Sequence, residues 1–118
     1  MDRKIDTPYL LHIRDAIALI QEWSAGKTIE DFTQDEKLQS AIIRQLEIIG
    51  EAARNVSDER KIATPEIPWR PITNTRNTLI HGYFTVDEKK VWDMVQIDIP
   101  VLQKHIDALL EKLESEDI

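Results

Sequence analysis

The segment Arg76-Asn77-Thr78-Leu79-Ile80-His81-Gly82-Tyr83 concentrates the residue types in this chain that can do chemistry. His81 can pass a proton near neutral pH, where an imidazole titrates. Arg76 can grip a phosphate through two parallel N–H bonds and offset the charge that builds on it in a transition state. Such a pair suits cleavage of a phosphodiester whose neighbouring 2′-hydroxyl is the nucleophile, as in RNA, with no metal and no cofactor. Arg76, His81 and Tyr83 would serve equally well as an ordinary ion pair, a cap and a packed ring near a helix end. His12 and His105 read as surface or boundary residues. Trp23, Trp69 and Trp92 read as core anchors rather than base-stacking platforms.

The elements that must position this cluster follow from the pattern around it. A short helix is predicted from about Arg70 to His81, ended by Gly82. At about 100° per residue, Arg70, Asn74, Asn77 and His81 share one polar stripe. Asn77 then lies one turn before His81 and is a supporting residue that orients the ring. Trp69, Ile72, Leu79 and Ile80 fall on the opposite side, with Arg76 among them. A buried guanidinium needs a carboxylate partner, and Glu47 and Glu51 are the candidates by type and position. On an ideal helix Arg76 and His81 point apart. They can cooperate only if the helix loosens at Gly82 or if two subunits bring their copies together, so a homodimer is expected.

The rest of the chain reads as helix, short loop, helix. A first helix is predicted from Thr7-Pro8, with Thr7 as the cap, and ends at Gly26. A second is predicted to open on a capping box, Thr33-Gln34-Asp35-Glu36. It carries Leu38, Ala41, Ile42, Leu46, Ile49, Ala53 and Val56 on one stripe, with Ile43 and Ile48 off it. Apolar residues on more than one side mean burial on more than one side. Gly50 sits in mid-helix at a cost of about 1 kcal/mol relative to Ala, which a close approach of another helix would explain. After a Pro-punctuated connection and the short helix above, a fourth helix opens at Asp87. Pro100 interrupts it, giving either a kink or a new helix. The expectation is an all-α antiparallel bundle of four to five helices, one domain over residues 1–118.

Composition narrows the function. The 118 residues hold no Cys, which excludes disulfides and thiolate metal sites. No leader segment and no membrane-spanning run is visible, so a cytoplasmic protein is expected. The net charge of −7 is wrong for a generic nucleic-acid binder. It is unevenly spread, however. Arg54 to Arg76 holds five basic residues against three acids, whereas Phe84 to Ile118 holds nine acids against four lysines. The middle of the chain can therefore present a locally positive surface.

Arg76, four intervening residues, His81, one residue and Tyr83 resemble the Arg-x4-His-x-Tyr motif of HepT-like proteins in the HEPN superfamily. The likeness extends along the chain in order: Tyr9 to Ile13, Arg44 to Ala52, Pro65 to Trp69, Val91-Trp92, and Ile99-Pro100. The resemblance implies a helical bundle that forms homodimers, with the motif of both chains lining a cleft. It implies an endoribonuclease toxin in which Arg76 and His81 are the catalytic pair, with RNA as substrate. Its partner would be a minimal nucleotidyltransferase antitoxin able to transfer AMP onto Tyr83. The alternative is a non-catalytic helical subunit that binds and regulates a nucleotidyltransferase; a plain dimeric bundle without chemistry is the third reading.

Overall fold

The first buried stripe forms on helix α1 (Thr7–Ser24), where Leu10, Ile13, Ile17 and Ile20 recur at helical spacing and are at most 1% exposed. The computed structural model describes residues 3–75, 80–81 and 85–116, with side chains over 5–75 and 87–116. A 3-10 turn, Arg3–Asp6, leads into α1, so the cap position falls on Asp6 rather than on Thr7. Thr7 and Pro8 occupy the first helical positions, where the missing proline N–H costs nothing. Gly26, at φ 73°, takes the left-handed conformation that closes the helix, as its position in the sequence predicts.

The capping box expected at Thr33 forms five residues earlier. Thr28 accepts from the Asp31 N–H at 3.1 Å and Asp31 accepts from the Thr28 N–H at 2.9 Å. They open a short helix, α2 (Ile29–Thr33). Phe32 decides the matter: α2 drives its ring fully into the core, 5.2 Å from the ring of Trp92. The two bonds from Thr28, the backbone one foremost, hold the Asp31 carboxyl below its ordinary value of 3.8. A lowered folded-state pKa means that this cap supports the fold above pH about 4 and stops doing so as acid protonates it.

Helix α3 (Glu36–Asn55) is capped by Asp35, which accepts from the Leu38 N–H at 3.0 Å. Gln39 donates back to the carbonyls of Phe32 and Thr33, so the end of α2 is satisfied by α3. Ile42, Leu46, Ile49 and Ala53 bury the main stripe, while Ile43 and Ile48 are half-buried against the core. Two short helices follow, α4 (Asp58–Ala63) and α5 (Trp69–Thr73). They are joined by a buried bond from the Trp69 indole N–H to the Thr64 hydroxyl, 3.0 Å.

A two-rung antiparallel ladder then pairs β1 (Ile80–His81) with β2 (Thr85–Val86), in register Ile80 to Val86 and His81 to Thr85. Helix α6 (Glu88–Asp93) starts on Asp87, the cap expected there. It runs through a π turn at Met94–Asp98 into α7 (Ile99–Glu116). Pro100 is the cause. It has no N–H, and its ring would strike the carbonyl four residues back, so the preceding turn widens while Ile99 stays helical. The bend is absorbed without a new start. Leu102, Ile106, Leu109 and Leu113 of α7 pack with α1, and Gln21 and Gln103 join the two helices at 3.0 Å. The architecture is an all-α bundle. Among the described residues no helix is long and apolar enough to cross a membrane.

Candidate functional site

Gly50 positions the chain that leads into the motif. A Cβ built there would lie 3.1 Å from the Ile72 carbonyl oxygen, 3.5 Å from that of Thr73 and 4.0 Å from the Thr75 Cβ. Glycine in mid-helix thus has the reason its sequence position demands: α5 and the residues after it lie directly on α3. Thr75 is 4% exposed, and its hydroxyl donates to the Ile72 carbonyl at 2.6 Å. The segment 72–75 is therefore held by backbone contact at Gly50 and by its own threonine, and the next residue in the sequence is Arg76. Gly50→Val should drive the two segments apart, costing about 1–3 kcal/mol of stability and lowering activity. Thermal unfolding and a cleavage assay check both; an unchanged melting temperature would show that the contact is loose.

Beside Gly50 a polar groove of about 290 Å³ opens between α3 and α5, lined by Arg44, Glu47, Gly50, Glu51, Arg54 and Thr73. Positions 44, 47, 51 and 54 follow the spacing of one helix face, a signal readable in the sequence. Glu51 pairs with Arg54 at 3.7 Å, both side chains being exposed, and Glu47 is half-buried. Across α3 a second groove of about 200 Å³ shares Arg44, Glu47 and Glu51 and adds Tyr9, His12 and Asn55. An apolar groove of about 290 Å³ lies on the other side of α5, where Leu46, Ile49, Ile72, Met94 and Leu102 meet. His12 is exposed and His105 half-buried, as expected, and Trp69 and Trp92 are buried core residues. Among the described residues no three His, Asp or Glu side chains are grouped as metal ligands.

The helix expected over residues 70–81 does not run its full length. α5 stops at Thr73, and His81 stands on the extended backbone of β1. His81 is therefore not a residue of that helix. Arg76, Asn77 and Tyr83 lie outside the described residues, and so do the orienting role expected of Asn77 and the expected divergence of Arg76 from His81. Glu47 and Glu51, named as partners for Arg76, both line the polar groove next to Thr73, with Glu51 already tied to Arg54.

A helical bundle carrying an Arg-x4-His-x-Tyr motif, with the approach to it seated on a mid-helix glycine, defines a class of protein. A family model described as "Ribonuclease HepT-like" matches residues 13–109, a span that contains the whole motif. The chain is 46% identical over 101 residues to a "Probable ribonuclease HepT" of Thermococcus cleftensis, covering 86% of this chain and 92% of that one. It is 38% identical over 109 residues to "Putative RNase TTE0752" of Caldanaerobacter subterraneus subsp. tengcongensis, covering 92% and 97%. It is 32% identical over 117 residues to "Putative RNase MJ0127" of Methanocaldococcus jannaschii, covering 99% and 97%. No solved structure matches it. The chain belongs to the HepT-like ribonuclease family.

Proposed function

We propose that this protein is a metal-independent endoribonuclease, the toxin of a toxin–antitoxin pair, acting in the cytoplasm. The observation that carries the reading is the family match across residues 13–109, which encloses Arg76, His81 and Tyr83 in a chain whose relatives bear ribonuclease names. His81 moves the proton and Arg76 holds the phosphate. Glu47 and Glu51 are the carboxylates assigned to Arg76. Two copies form the working unit. The apolar groove beside α5 and the half-buried Ile43 and Ile48 of α3 support a further apolar contact. The antitoxin is a minimal nucleotidyltransferase that adds AMP to Tyr83. The added phosphate places negative charge within the motif and competes with RNA for its cation.

Induction in cells that lack the nucleotidyltransferase tests the proposal. Wild type should arrest growth and fragment RNA, His81→Ala should do neither, and co-expression with the partner should add the mass of AMP to the Tyr83 peptide. Arrest that persists with His81→Ala and intact RNA would favour the non-catalytic binding subunit.

A further inference from the structure

Among arginines with described side chains, Arg14, Arg54 and Arg60 are each committed to a carboxylate, at 3.2, 3.7 and 3.6 Å. Among the described residues Arg44 and Arg70 make no ion pair or hydrogen bond, and both are exposed. Arg44 lines two grooves, the polar groove beside Gly50 and its neighbour across α3. Glu47, one turn on along the same face, does not take it. The first groove is bounded by Thr73, two residues before the segment at Thr75 gives way to Arg76. An uncommitted guanidinium therefore stands at the junction of two open grooves, one of which reaches Thr73, three residues before the motif begins in the sequence.

We infer that Arg44 holds an RNA backbone phosphate outside the scissile bond and so positions the strand for the motif. The inference rests on the ribonuclease reading above. Guanidinium suits the task because its planar fork meets a phosphate through two N–H bonds, which an ammonium cannot reproduce. Arg44 touches no reacting atom and is a positioning residue.

The test compares Arg44→Ala and Arg44→Lys with Arg14→Ala, which removes the same charge from an exposed site on α1 away from both grooves. Arg44→Ala should raise KM for a single-stranded RNA about tenfold, the value of one charge-assisted contact, with kcat within about twofold. In a His81→Ala background, binding of a labelled RNA should lose about 0.7 from the slope of log K against log salt. Arg44→Lys should restore the slope and only part of KM, and Arg14→Ala should change neither. Circular dichroism establishes that each variant is folded. If wild type cleaves RNA and Arg44→Ala matches it in KM and salt slope, the Arg44 assignment alone is wrong. If Arg14→Ala behaves as Arg44→Ala does, bulk charge is responsible and the assignment again fails. If wild type neither binds nor cleaves RNA, the ribonuclease reading fails and takes this inference with it.

Discussion

His81→Ala is expected to lower RNA cleavage by about 10²–10⁴-fold, the usual cost of losing a general acid–base group, with the melting temperature little changed. The reaction assigned to the site balances without a metal. The 2′-oxygen bonds to phosphorus, the bond to the 5′-oxygen breaks, and one proton leaves the 2′-hydroxyl while another reaches the departing oxygen. In the mechanism we propose, His81 serves one of these transfers, the second copy of His81 in a dimer serves the other, and Arg76 stabilises the charge on the five-coordinate phosphorus. Three results should therefore accompany the loss in His81→Ala. EDTA leaves wild-type activity intact, a 2′-deoxy nucleotide at the scissile position abolishes cleavage, and the products carry a 2′,3′-cyclic phosphate or its hydrolysis product. Stability should hold because β1 pairs with β2 through backbone bonds that a side-chain truncation leaves in place. Cleavage that survives His81→Ala, or that EDTA abolishes, would overturn this chemistry.

The long helices were legible because their apolar residues recur at the helical period over many turns, and no competing signal of similar strength crosses them. The short elements were not. Two capping boxes compete near residue 30, Thr28 to Asp31 and Thr33 to Glu36. Local chemistry does not choose between them. Burial of Phe32 against Trp92 does, and that contact spans 60 residues of sequence. The stretch after Trp69 misled for a related reason. Its apolar and polar residues fit a helical wheel through His81, yet α5 is only five residues long. Thr75 turns its hydroxyl back onto the Pro71 and Ile72 carbonyls, 3.2 and 2.6 Å away. The ladder had its own signal. Ile80-His81 and the β-branched pair Thr85-Val86 flank a three-residue connection that contains Gly82, the spacing of a short hairpin, but Gly82 also fits the end of a helix. Gly50 went the other way. A glycine in the middle of a strongly amphipathic helix announced a close approach, and Ile72 and Thr73 supply it.

Asp6→Ala should remove about 3 kcal/mol of stability, although Asp6 lies far from the motif in sequence. Asp6 is 2% exposed. Its carboxylate accepts both the N–H and the hydroxyl of Ser57 at 2.8 Å and lies 3.6 Å from the Arg60 Nε. That Nε is buried and has no hydrogen bond, so the carboxylate is what offsets its charge. Breaking a buried pair from one side costs about 3–5 kcal/mol because the other charge is stranded. The lower end applies here, since the Arg60 side chain keeps 16% exposure and can swing toward water. In a domain of this size the loss corresponds to a fall in melting temperature of about 10 °C or more. Asp6→Asn keeps an acceptor for Ser57 and should lose less. The double change Asp6→Leu with Arg60→Met removes the stranded charge and should recover part of the deficit. Thermal and urea unfolding measure all three, and a loss below about 1 kcal/mol for Asp6→Ala would show that the carboxylate is not what anchors this corner. The consequence for function follows from the bonds that continue the chain of contacts. The Thr64 hydroxyl donates to the Arg60 carbonyl at 2.8 Å and accepts from the Trp69 indole at 3.0 Å. Trp69 begins α5, and α5 seats residues 72–75 on Gly50 just before Arg76. Loosening Asp6 should therefore reduce cleavage at temperatures where most of the protein is still folded.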